Sequence, residues 1–488
     1  MGSLTDRLAD PALLRTEAYV DGTWRGAACG ETFAVDDPAT GEILAEVPAM
    51  DATDAAAAID AAARAFPDWA GRTAGERADL LRRWFELMEA HADDLGLIMT
   101  REQGKPLREA VGEIHYGASF IEWFAEEGRR ADGIVIPPHQ ANKRLVVLKQ
   151  PVGVAAAITP WNFPNAMITR KAGPALAAGC TFVVKPASAT PLSALALAEL
   201  ADRAGIPPGV FNVVTAARSG PVGDEFTTNP KVRKFSFTGS TEVGKQLLAK
   251  CASTVKRVSM ELGGNAPFLV FDDADLDAAV EGAIVAKYRN GGQTCVCANR
   301  IFAQAGIYDE FVARLAEASR SLRVGPGTEP DVDVGPLIDV HALEKVTRLL
   351  ADAVAGGARV VTGGAPHPAG GTFFEPTVVA DVRPDMAVAV EEIFGPVAPV
   401  IRFDDEDEAV AAANDTPYGL AAYFYTRDLS RAWRVLEGLE YGMVGVNTGL
   451  VSTTVAPFGG WKESGIGREG SHLGLDEYLE PKYVCMEI

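Results

Sequence analysis

A cysteine that follows two glycines is the residue in this sequence with the clearest capacity for chemistry. Gly291 and Gly292 shortly precede Cys295, and paired glycines allow a sharp turn that brings the backbone close to another molecule. A ligand can reach a Cys on such a loop, and its thiolate is a strong nucleophile. Lys287 and Arg289 place positive charge nearby. Most free cysteines are small buried hydrophobes, so the role of Cys295 depends on the residues around it.

Two further side chains have the chemistry that a cysteine nucleophile requires. Glu261 stands at the end of a predicted strand beside two glycines, where a carboxylate could turn toward water as a general base. Asn162 lies among apolar residues between Pro160 and Pro164, and its amide could donate a hydrogen bond to an oxyanion. The ordinary alternatives are a solvated carboxylate for Glu261 and a turn residue for Asn162.

The sequence also predicts a dinucleotide site. Residues 237–244 join a strand to a helix, where free backbone N–H groups and the helix dipole would hold a diphosphate; an ordinary strand–helix turn has the same pattern. Lys185 and Ser188 follow another strand, with no acid before Glu199. A cation and a hydroxyl accept a 2′-phosphate that the carboxylate of an NAD site would repel. The pattern favours NADP and leaves NAD possible; a capped helix with a surface Lys is the alternative.

Four other residues are candidates for binding ligands. Glu392 offers an acceptor for sugar hydroxyls, and Phe394 offers a flat apolar wall. Arg170 and Arg289 are the arginines expected to grip a substrate carboxylate, because a guanidinium matches a carboxylate with two parallel hydrogen bonds. Surface ion pairs are the alternative for both arginines.

The elements that must position these residues alternate between strand and helix. Apolar strands and helices alternate over 152–262, and a second alternation begins at 267. Strands that are apolar throughout imply parallel sheets covered on both faces, and ligands bind such sheets at the carboxyl ends of the strands. We therefore predict an α/β protein with two parallel-sheet, Rossmann-like domains. A protruding β-arm is predicted near 131–151, and one long helical stretch is predicted over 74–103.

Bulk composition excludes several classes of function. A net charge of −21 over 488 residues, spread along the chain, argues against a nucleic-acid partner, which requires a basic stripe. Six cysteines are too few for a disulfide framework and indicate reduced thiols in the cytoplasm. Cys295 and Cys297 without a His/Cys cluster make a poor metal site. No run approaches the roughly 18 apolar residues that span a bilayer, so no membrane partner is expected.

Taken together, these motifs resemble the aldehyde dehydrogenase superfamily over nearly the whole chain. The matching motifs are Glu261-Leu-Gly-Gly with Cys295 34 residues later, Pro160-Trp-Asn-Phe-Pro, Phe237-Thr-Gly-Ser, Glu392-Ile-Phe-Gly-Pro and Pro457-Phe-Gly-Gly. More narrowly, segments 168–174, 292–300 and 465–471 are similar to the succinate-semialdehyde dehydrogenases. That subgroup also carries Lys185-Pro-Ala-Ser, with Ser where many NAD-preferring relatives have Glu.

The resemblance implies a role for each site residue. Cys295 attacks the aldehyde to give a thiohemiacetal, and the Asn162 amide and the Cys295 backbone N–H hold its oxyanion. After hydride transfer to the nicotinamide, Glu261 activates the water that hydrolyses the thioester. The implied cofactor contacts are Pro160, Trp161, Lys185, Ser188, Thr238, Gly239, Ser240, Leu262, Glu392 and Phe394, with Glu392 at the nicotinamide ribose. Arg170, Arg289 and Ser452 would bind the distal carboxylate.

The resemblance also implies how the chain is divided. Residues 1–130 and 152–263 would bind the cofactor, and 264–458 would form the catalytic domain. The arm, 131–151, and the tail, 470–488, would pair subunits into a homodimer or homotetramer. One departure is Gly291, where close relatives often have Ala or Thr; it touches no assigned role.

The substrate expected from the resemblance is succinate semialdehyde. Glutarate semialdehyde is the alternative, since one methylene gives only about 1–3 kcal/mol of discrimination, and a broader aldehyde specificity is another. A CoA-acylating relative is disfavoured because that branch generally lacks the base at Glu261. A non-catalytic structural protein is disfavoured because Cys295 and Asn162 are also intact. Cys297, two residues from the nucleophile, suggests a regulatory disulfide with Cys295.

Overall fold

In the computed structural model, which describes residues 4–488, the chain forms twenty strands and sixteen α-helices. The strands are β1 Ala18–Val20, β2 Thr23–Arg25, β3 Thr32–Asp36, β4 Ile43–Pro48, β5 Ile134–Ile136, β6 Lys143–Pro151, β7 Val154–Ile158, β8 Thr181–Lys185, β9 Phe211–Val213, β10 Val232–Thr238, β11 Arg257–Glu261, β12 Ala266–Val270, β13 Ala298–Gln304, β14 Arg359–Thr362, β15 Thr377–Ala380, β16 Val397–Phe403, β17 Ala421–Tyr425, β18 Met443–Val446, β19 Gly465–Ile466 and β20 Leu479–Glu487. The helices are α1 Leu4–Arg7, α2 Ala52–Gly71, α3 Ala74–Ala90, α4 Ala92–Gln103, α5 Leu107–Glu127, α6 Ala166–Ala178, α7 Pro191–Arg203, α8 Ser219–Thr228, α9 Thr241–Cys251, α10 Leu276–Tyr288, α11 Tyr308–Arg320, α12 Val340–Ala355, α13 Ala387–Val390, α14 Glu406–Asn414, α15 Leu429–Gly438 and α16 Ser471–Asp476.

The first large sheet has eight strands in the order β19-β11-β10-β7-β8-β9-β1-β2. Strands β7 to β11 run parallel, and their alternate side chains enter two different cores: Phe182 packs in one and Val183 in the other. Burial on both faces explains why these strands are apolar throughout. Ile158 is in register with Lys185 on one side and with Phe237 on the other, so the loops that follow these strands share one edge.

The second large sheet has seven strands in the order β14-β15-β16-β13-β12-β17-β18. All of its pairings are parallel except that of β14 with β15. Apolar clusters cover both faces. The prediction of an α/β protein with two parallel-sheet domains is therefore confirmed for its fold class.

A three-stranded antiparallel sheet, ordered β20-β6-β5, forms the arm. Strand β20, near the end of the chain, pairs with β6 from Leu479 opposite Pro151 to Glu487 opposite Lys143. Just before it, β19 joins the first sheet beside β11. The segment between β18 and β19 therefore returns the chain from the second sheet to the first.

The helical stretch predicted over 74–103 is wrong in one respect, because it is two helices. Helix α3 ends at Ala90, His91 has φ −112° and ψ 20°, and α4 begins at Ala92. Asp93 and Asp94 lie in the first turn of α4, where carboxylates are favourable beside free N–H groups. Asp94 also accepts hydrogen bonds from the backbone of residues 9 and 10, both at 2.8 Å. The hydrophobic periodicity continues across this break, so the sequence pattern does not reveal the break.

Within residues 4–488, none of the helices combines the length and the apolar character needed to cross a bilayer.

Candidate active site

A cavity of about 370 Å³ opens at the carboxyl ends of β7, β10 and β11. Helix α12 and the segment after α13 form its opposite wall. The lining residues are Pro160, Trp161, Asn162, Met167, Thr238, Gly239, Ser240, Leu262, Gly263, Cys295, His341, Ala342, Lys345, Glu392, Ile393 and Phe394. Ten residues predicted from the sequence are among them, because parallel strands bring distant loops to one edge.

Cys295 reaches this cavity through a tight left-handed turn. Helix α10 ends at Tyr288, and Asn290, Gly291 and Gly292 have φ values of 52°, 62° and 77°. A side chain at Gly292 would lie 2.3 Å from the carbonyl oxygen of Gly395, so only glycine fits. The thiol is half-buried, and burial raises its pKa to about 12 against the lowering effect of Arg170. The resting group is therefore a thiol, and its proton must leave before or as the sulfur attacks.

Glu261 immediately precedes Leu262 and Gly263, which line the cavity, but it does not line the cavity itself. The carboxylate is buried, and neither oxygen has a hydrogen-bond partner among the described residues. A Cβ added to Gly459 would lie 3.0 Å from Glu261 Oε1, so the loop after β18 covers this side chain. Burial, and next the Glu469 carboxylate, raise the pKa of Glu261 well above its usual value, against Arg170 and Lys171. An unpartnered carboxylate of raised pKa is suited to accept a proton.

Asn162 is held at the cavity wall by its own backbone and by the turn before Cys295. Its Nδ2 donates to the main-chain carbonyl of Gln293 at 3.0 Å. Its main-chain carbonyl accepts from Lys105 Nζ at 2.7 Å and from Asn290 Nδ2 at 3.1 Å. An amide nitrogen carries two hydrogens, so one remains for a ligand in the cavity that Asn162 lines.

The far end of the cavity combines a helix N-terminus with a carboxylate and two rings. Ser240 caps α9 by accepting from Val243 N at 3.4 Å. Glu392 accepts from Gly264 N at 3.0 Å, and burial raises its pKa to about 7. Trp161 and Phe394 meet edge to face with their ring centroids 5.6 Å apart, which makes an apolar wall.

Two of the predicted cofactor residues lie outside this cavity. Lys185 is fully buried at the end of β8, and burial lowers its pKa to about 8. Ser188 is exposed and lines a separate cavity of about 810 Å³ between the β3–β4 hairpin and the start of α12. The cofactor-contact assignment of both residues stays a prediction.

The three predicted substrate-binding residues have different environments. Arg170 is buried on α6, its Nε donates to Glu469, and its guanidinium lies 4.0 Å from the centre of the Phe458 ring. Its Nη2 is buried with no partner among the described residues, so part of the fork is free. Arg289 is half-buried, 5.3 Å from the Phe163 ring centre. Ser452 is half-buried on the loop after β18.

Glu469 was missed by the sequence reasoning. It accepts from both Arg170 and Lys171, and although burial opposes it, those cations hold the pKa of Glu469 below its usual value. Tyr116 was also missed: its hydroxyl is buried without a partner among the described residues, in the field of Arg170 and Arg289. No local motif marks either residue, because their partners are far away in the sequence.

His341 and Lys345 were missed although a signal existed. They lie one turn apart on α12 and both line the cavity, and residues four apart share a helix face. The sequence could not show that this face meets the loops of the other sheet.

Cys297 lies beside the nucleophile in sequence but points elsewhere. It is buried, and its Sγ donates to the main-chain carbonyl of Lys287 at 3.5 Å. All six cysteines are free thiols in the structure. The disulfide hypothesis stays a prediction.

If the disulfide forms, peroxide should inactivate the parent enzyme in a way that dithiothreitol reverses, and Cys297→Ala should lose that reversible component. Residual activity after peroxide treatment, with and without later reduction, measures the reversible component of the inactivation. Equal reversibility in the parent and in Cys297→Ala would contradict the hypothesis. Cys251→Ala, at another buried free cysteine, is the control that should behave as the parent.

Comparison with known proteins places this geometry in context. A family model described as the aldehyde dehydrogenase family matches residues 24–484. The chain is 62% identical to the glutarate-semialdehyde dehydrogenase of Pseudomonas aeruginosa over 480 residues, 98% of this chain and 99% of that protein. It is also 62% identical, over 480 residues with the same two coverages, to a protein of Escherichia coli K12 named succinate-semialdehyde dehydrogenase (NADP⁺). The crystal structure of succinate-semialdehyde dehydrogenase from Burkholderia pseudomallei matches with a TM-score of 0.98 at 60% identity, covering 99% of this chain and 100% of that one.

Proposed function

The chain belongs to the aldehyde dehydrogenase family, and we propose that it oxidises succinate semialdehyde to succinate with NADP⁺ through a covalent intermediate on Cys295. The resemblance inferred from its motifs is confirmed, and the protein is an NAD(P)-dependent oxidoreductase. The observation that carries the proposal is that Cys295, Asn162 and Leu262 line one cavity, and that Leu262 directly follows Glu261, whose carboxylate has no partner among the described residues.

The residues present fit a nicotinamide dinucleotide. The N-terminus of α9 at Gly239 and Ser240 would hold a diphosphate, and Lys345 brings a cation to the same cavity. Glu392, with one oxygen already bound to Gly264 N, keeps acceptor capacity for ribose hydroxyls. The remaining proposed contacts with the cofactor are Pro160, Trp161, Thr238, Leu262, Phe394, Lys185 and Ser188. When bound, NADP⁺ supplies the acceptor for the hydride.

The chain's own groups can perform the acyl chemistry. Cys295 Sγ gives up its proton to solvent and attacks the aldehyde carbon, and the free N–H of the Asn162 amide donates to the oxygen that becomes negative. Loss of hydride leaves a thioester on Cys295. Glu261 then removes a proton from the attacking water, and its raised pKa suits it to hold that proton. Hydrolysis releases the carboxylic acid and restores the thiol.

The charges beside the thiol favour a substrate with an anionic end. The free Nη2 of Arg170, the half-buried Arg289 and the unpartnered Tyr116 hydroxyl all lie close enough to Cys295 or to each other to interact electrostatically. Arg170 Nη2 and the Tyr116 hydroxyl have no acceptor among the described residues, and a distal carboxylate would satisfy both donors and pair with the Arg289 cation. We place Ser452 in the same group on the family resemblance alone.

A panel of aldehydes tests the substrate class. Arg289→Gln should lower kcat/KM for succinate semialdehyde about 10–150-fold, because a hydrogen bond to a charged group contributes about 1.5–3 kcal/mol. The same variant should change kcat/KM for butanal, which lacks the carboxylate, less than about threefold. Arg383→Gln, at an exposed arginine far from the cavity, is the matched control. Equal losses for both aldehydes would contradict a carboxylate contact.

Glutarate semialdehyde is a second candidate, favoured by the name of the Pseudomonas aeruginosa relative. The two substrates differ by one methylene, which changes specificity by only about 1–3 kcal/mol. The specificity constants kcat/KM for the two semialdehydes, measured with NADP⁺ and with NAD⁺, decide between them. Cys295→Ala gives the background rate.

We further propose that the enzyme is a cytoplasmic homodimer or homotetramer joined through the arm sheet. The supporting observation is that the arm exposes large apolar side chains: Ile134, Val135, Leu148, Tyr483 and Met486. Single exposed hydrophobes are common, but a group of them on one sheet is typical of an interface. Sedimentation should show an oligomer for the parent and a shift toward the monomer for Val135→Lys, which places a charge in this apolar group. An unchanged sedimentation coefficient would contradict an interface at the arm.

A further inference from the structure

Lys105 is a buried cation with two acceptors, one on α5 and one on the loop after β7. It follows α4 at the turn before α5, and its side chain is 1% exposed. Its Nζ donates to Glu113 Oε2 at 2.5 Å and to the main-chain carbonyl of Asn162 at 2.7 Å. It also lies 4.1 Å from the centre of the Phe163 ring. One ammonium group therefore joins α5 and the turn before it to the loop that carries Asn162.

Glu113 fixes the other side of the same loop. Its Oε1 accepts from Asn165 N at 3.0 Å and from Ala166 N at 3.2 Å, at the start of α6. The Lys105–Glu113 pair thus contacts the loop at Asn162 and again three residues later. The pair is buried on both sides, and a buried ion pair is sustained only when its remaining hydrogen-bonding capacity is used.

The turn before Cys295 is tied to the same point. Asn290 Nδ2 donates to the Asn162 carbonyl at 3.1 Å, and Gln103 Nε2 donates to Asn290 Oδ1 at 3.1 Å. Glu109 accepts from Asn290 N at 2.8 Å. Residues on α4 and α5 therefore hold both the loop of Asn162 and the turn of the nucleophile.

These contacts decide where the Asn162 side chain points. One hydrogen of its amide donates to the Gln293 carbonyl, and the direction of the second hydrogen follows from the position of the Asn162 backbone. An oxyanion donor must lie within a narrow distance of the developing charge. A small shift of the backbone would turn the second hydrogen away from the cavity.

We propose that Lys105 is a positioning residue for the oxyanion-binding amide, acting through the Asn162 carbonyl with Glu113 as its counter-ion. This inference rests on the proposed function, in which Asn162 donates to the oxyanion. Lys105 touches neither substrate nor cofactor in this account. It sets the rate of the step in which the oxyanion forms and leaves binding unchanged.

The test is the rate of hydride transfer in a single turnover, followed as NADPH formation. Lys105→Met keeps the length of the side chain and removes its charge. We expect the rate to fall about 10–100-fold, less than the 10²–10³-fold loss of a whole oxyanion donor. The dissociation constant of NADP⁺ and KM for the aldehyde should change less than about twofold.

Two further variants separate positioning from damage to the fold. Lys105→Met combined with Glu113→Gln removes both buried charges and leaves no unpaired carboxylate, and it should keep the slow hydride transfer. Lys234→Met is the matched control: Lys234 is equally buried, pairs with Glu477 at 2.7 Å and lies near the amino-terminal end of β10. It should lose stability without losing the rate.

A double-mutant cycle with Asn162→Ala gives the decisive reading. If Lys105 acts through Asn162, Lys105→Met should cost less than about twofold in the Asn162→Ala background. Full additivity, or a rate in Lys105→Met equal to that in Lys234→Met, would overturn the inference while leaving the role of Asn162 intact. If Asn162→Ala itself keeps the parental rate, the proposed oxyanion role and this inference both fail.

Discussion

Replacing Glu261 with Gln should lower the steady-state rate of aldehyde oxidation about 10²–10⁴-fold, the usual contribution of a general base. Glutamine has nearly the shape of the carboxylate but cannot accept the proton of the attacking water. Solvent can still take the proton from the half-exposed Cys295 thiol, and the Asn162 amide is unchanged. The first turnover should therefore lose much less than the later ones, and an acyl-enzyme should accumulate.

The measurement is a rapid-mixing record of NADPH, with mass spectrometry of the trapped protein. The expected result is a burst of about one equivalent per subunit, followed by slow turnover, with the added mass on Cys295. Glu463→Gln, on the segment after β18 that covers Glu261 but exposed and paired with Lys245, should behave as the parent. Equal slowing of the burst and of later turnovers would show that Glu261 does not act mainly on water.

The dependence of this step on pH has a definite sign. Burial and the Glu469 carboxylate raise the pKa of Glu261, so the group is protonated and inactive as a base at low pH. Turnover by the parent should rise with pH as Glu261 loses its proton, and Glu261→Gln should lack that rise. The comparison requires kcat at saturating aldehyde from the acid range upward through neutral pH.

The parts of this site that the sequence predicts are those set by local rules. Paired glycines predict the turn at Cys295, and apolar strands predict parallel sheets whose carboxyl ends share an edge. Asn162, Thr238 and Leu262 lie at or just after the carboxyl ends of three such strands and do line one cavity. Neither inference required knowledge of any distant contact.

The parts that the sequence does not predict depend on contacts across the fold. The sequence predicts a substrate contact for Arg170 but does not show that its Nε pairs with Glu469, 299 residues away in the sequence. Lys105 contacts the Asn162 carbonyl across 57 residues, and no motif marks it. Charge and residue type identify candidate side chains. Which of these side chains keep a free donor or acceptor depends on how α5 and α6 pack against the segment that carries Glu469.

Replacing Cys295 with Ala should abolish turnover, a loss of about 10⁶-fold by comparison with hydrolases that lose their nucleophile. The substitution removes one sulfur from the cavity wall and leaves Asn162 and Glu392 in place, so NADP⁺ binding should change less than about threefold. Steady-state rates and cofactor titration measure the two effects. Retained turnover would exclude the covalent route.

Cys297→Ala is the matched control, because it removes the same group two residues away. Its sulfur donates to the Lys287 carbonyl, so the variant should keep turnover within a few-fold and lose some stability as a small cavity opens.

Alkylation distinguishes the two thiols further. Burial raises the pKa of Cys295 to about 12, and because only the thiolate reacts, alkylation of the cofactor-free protein should accelerate with rising pH through the neutral range. Inactivation by iodoacetamide should follow that rate in the parent and in Cys297→Ala alike, with the label on Cys295. If labelling of Cys297 matched the loss of activity, the proposal that Cys295 is the nucleophile would be wrong.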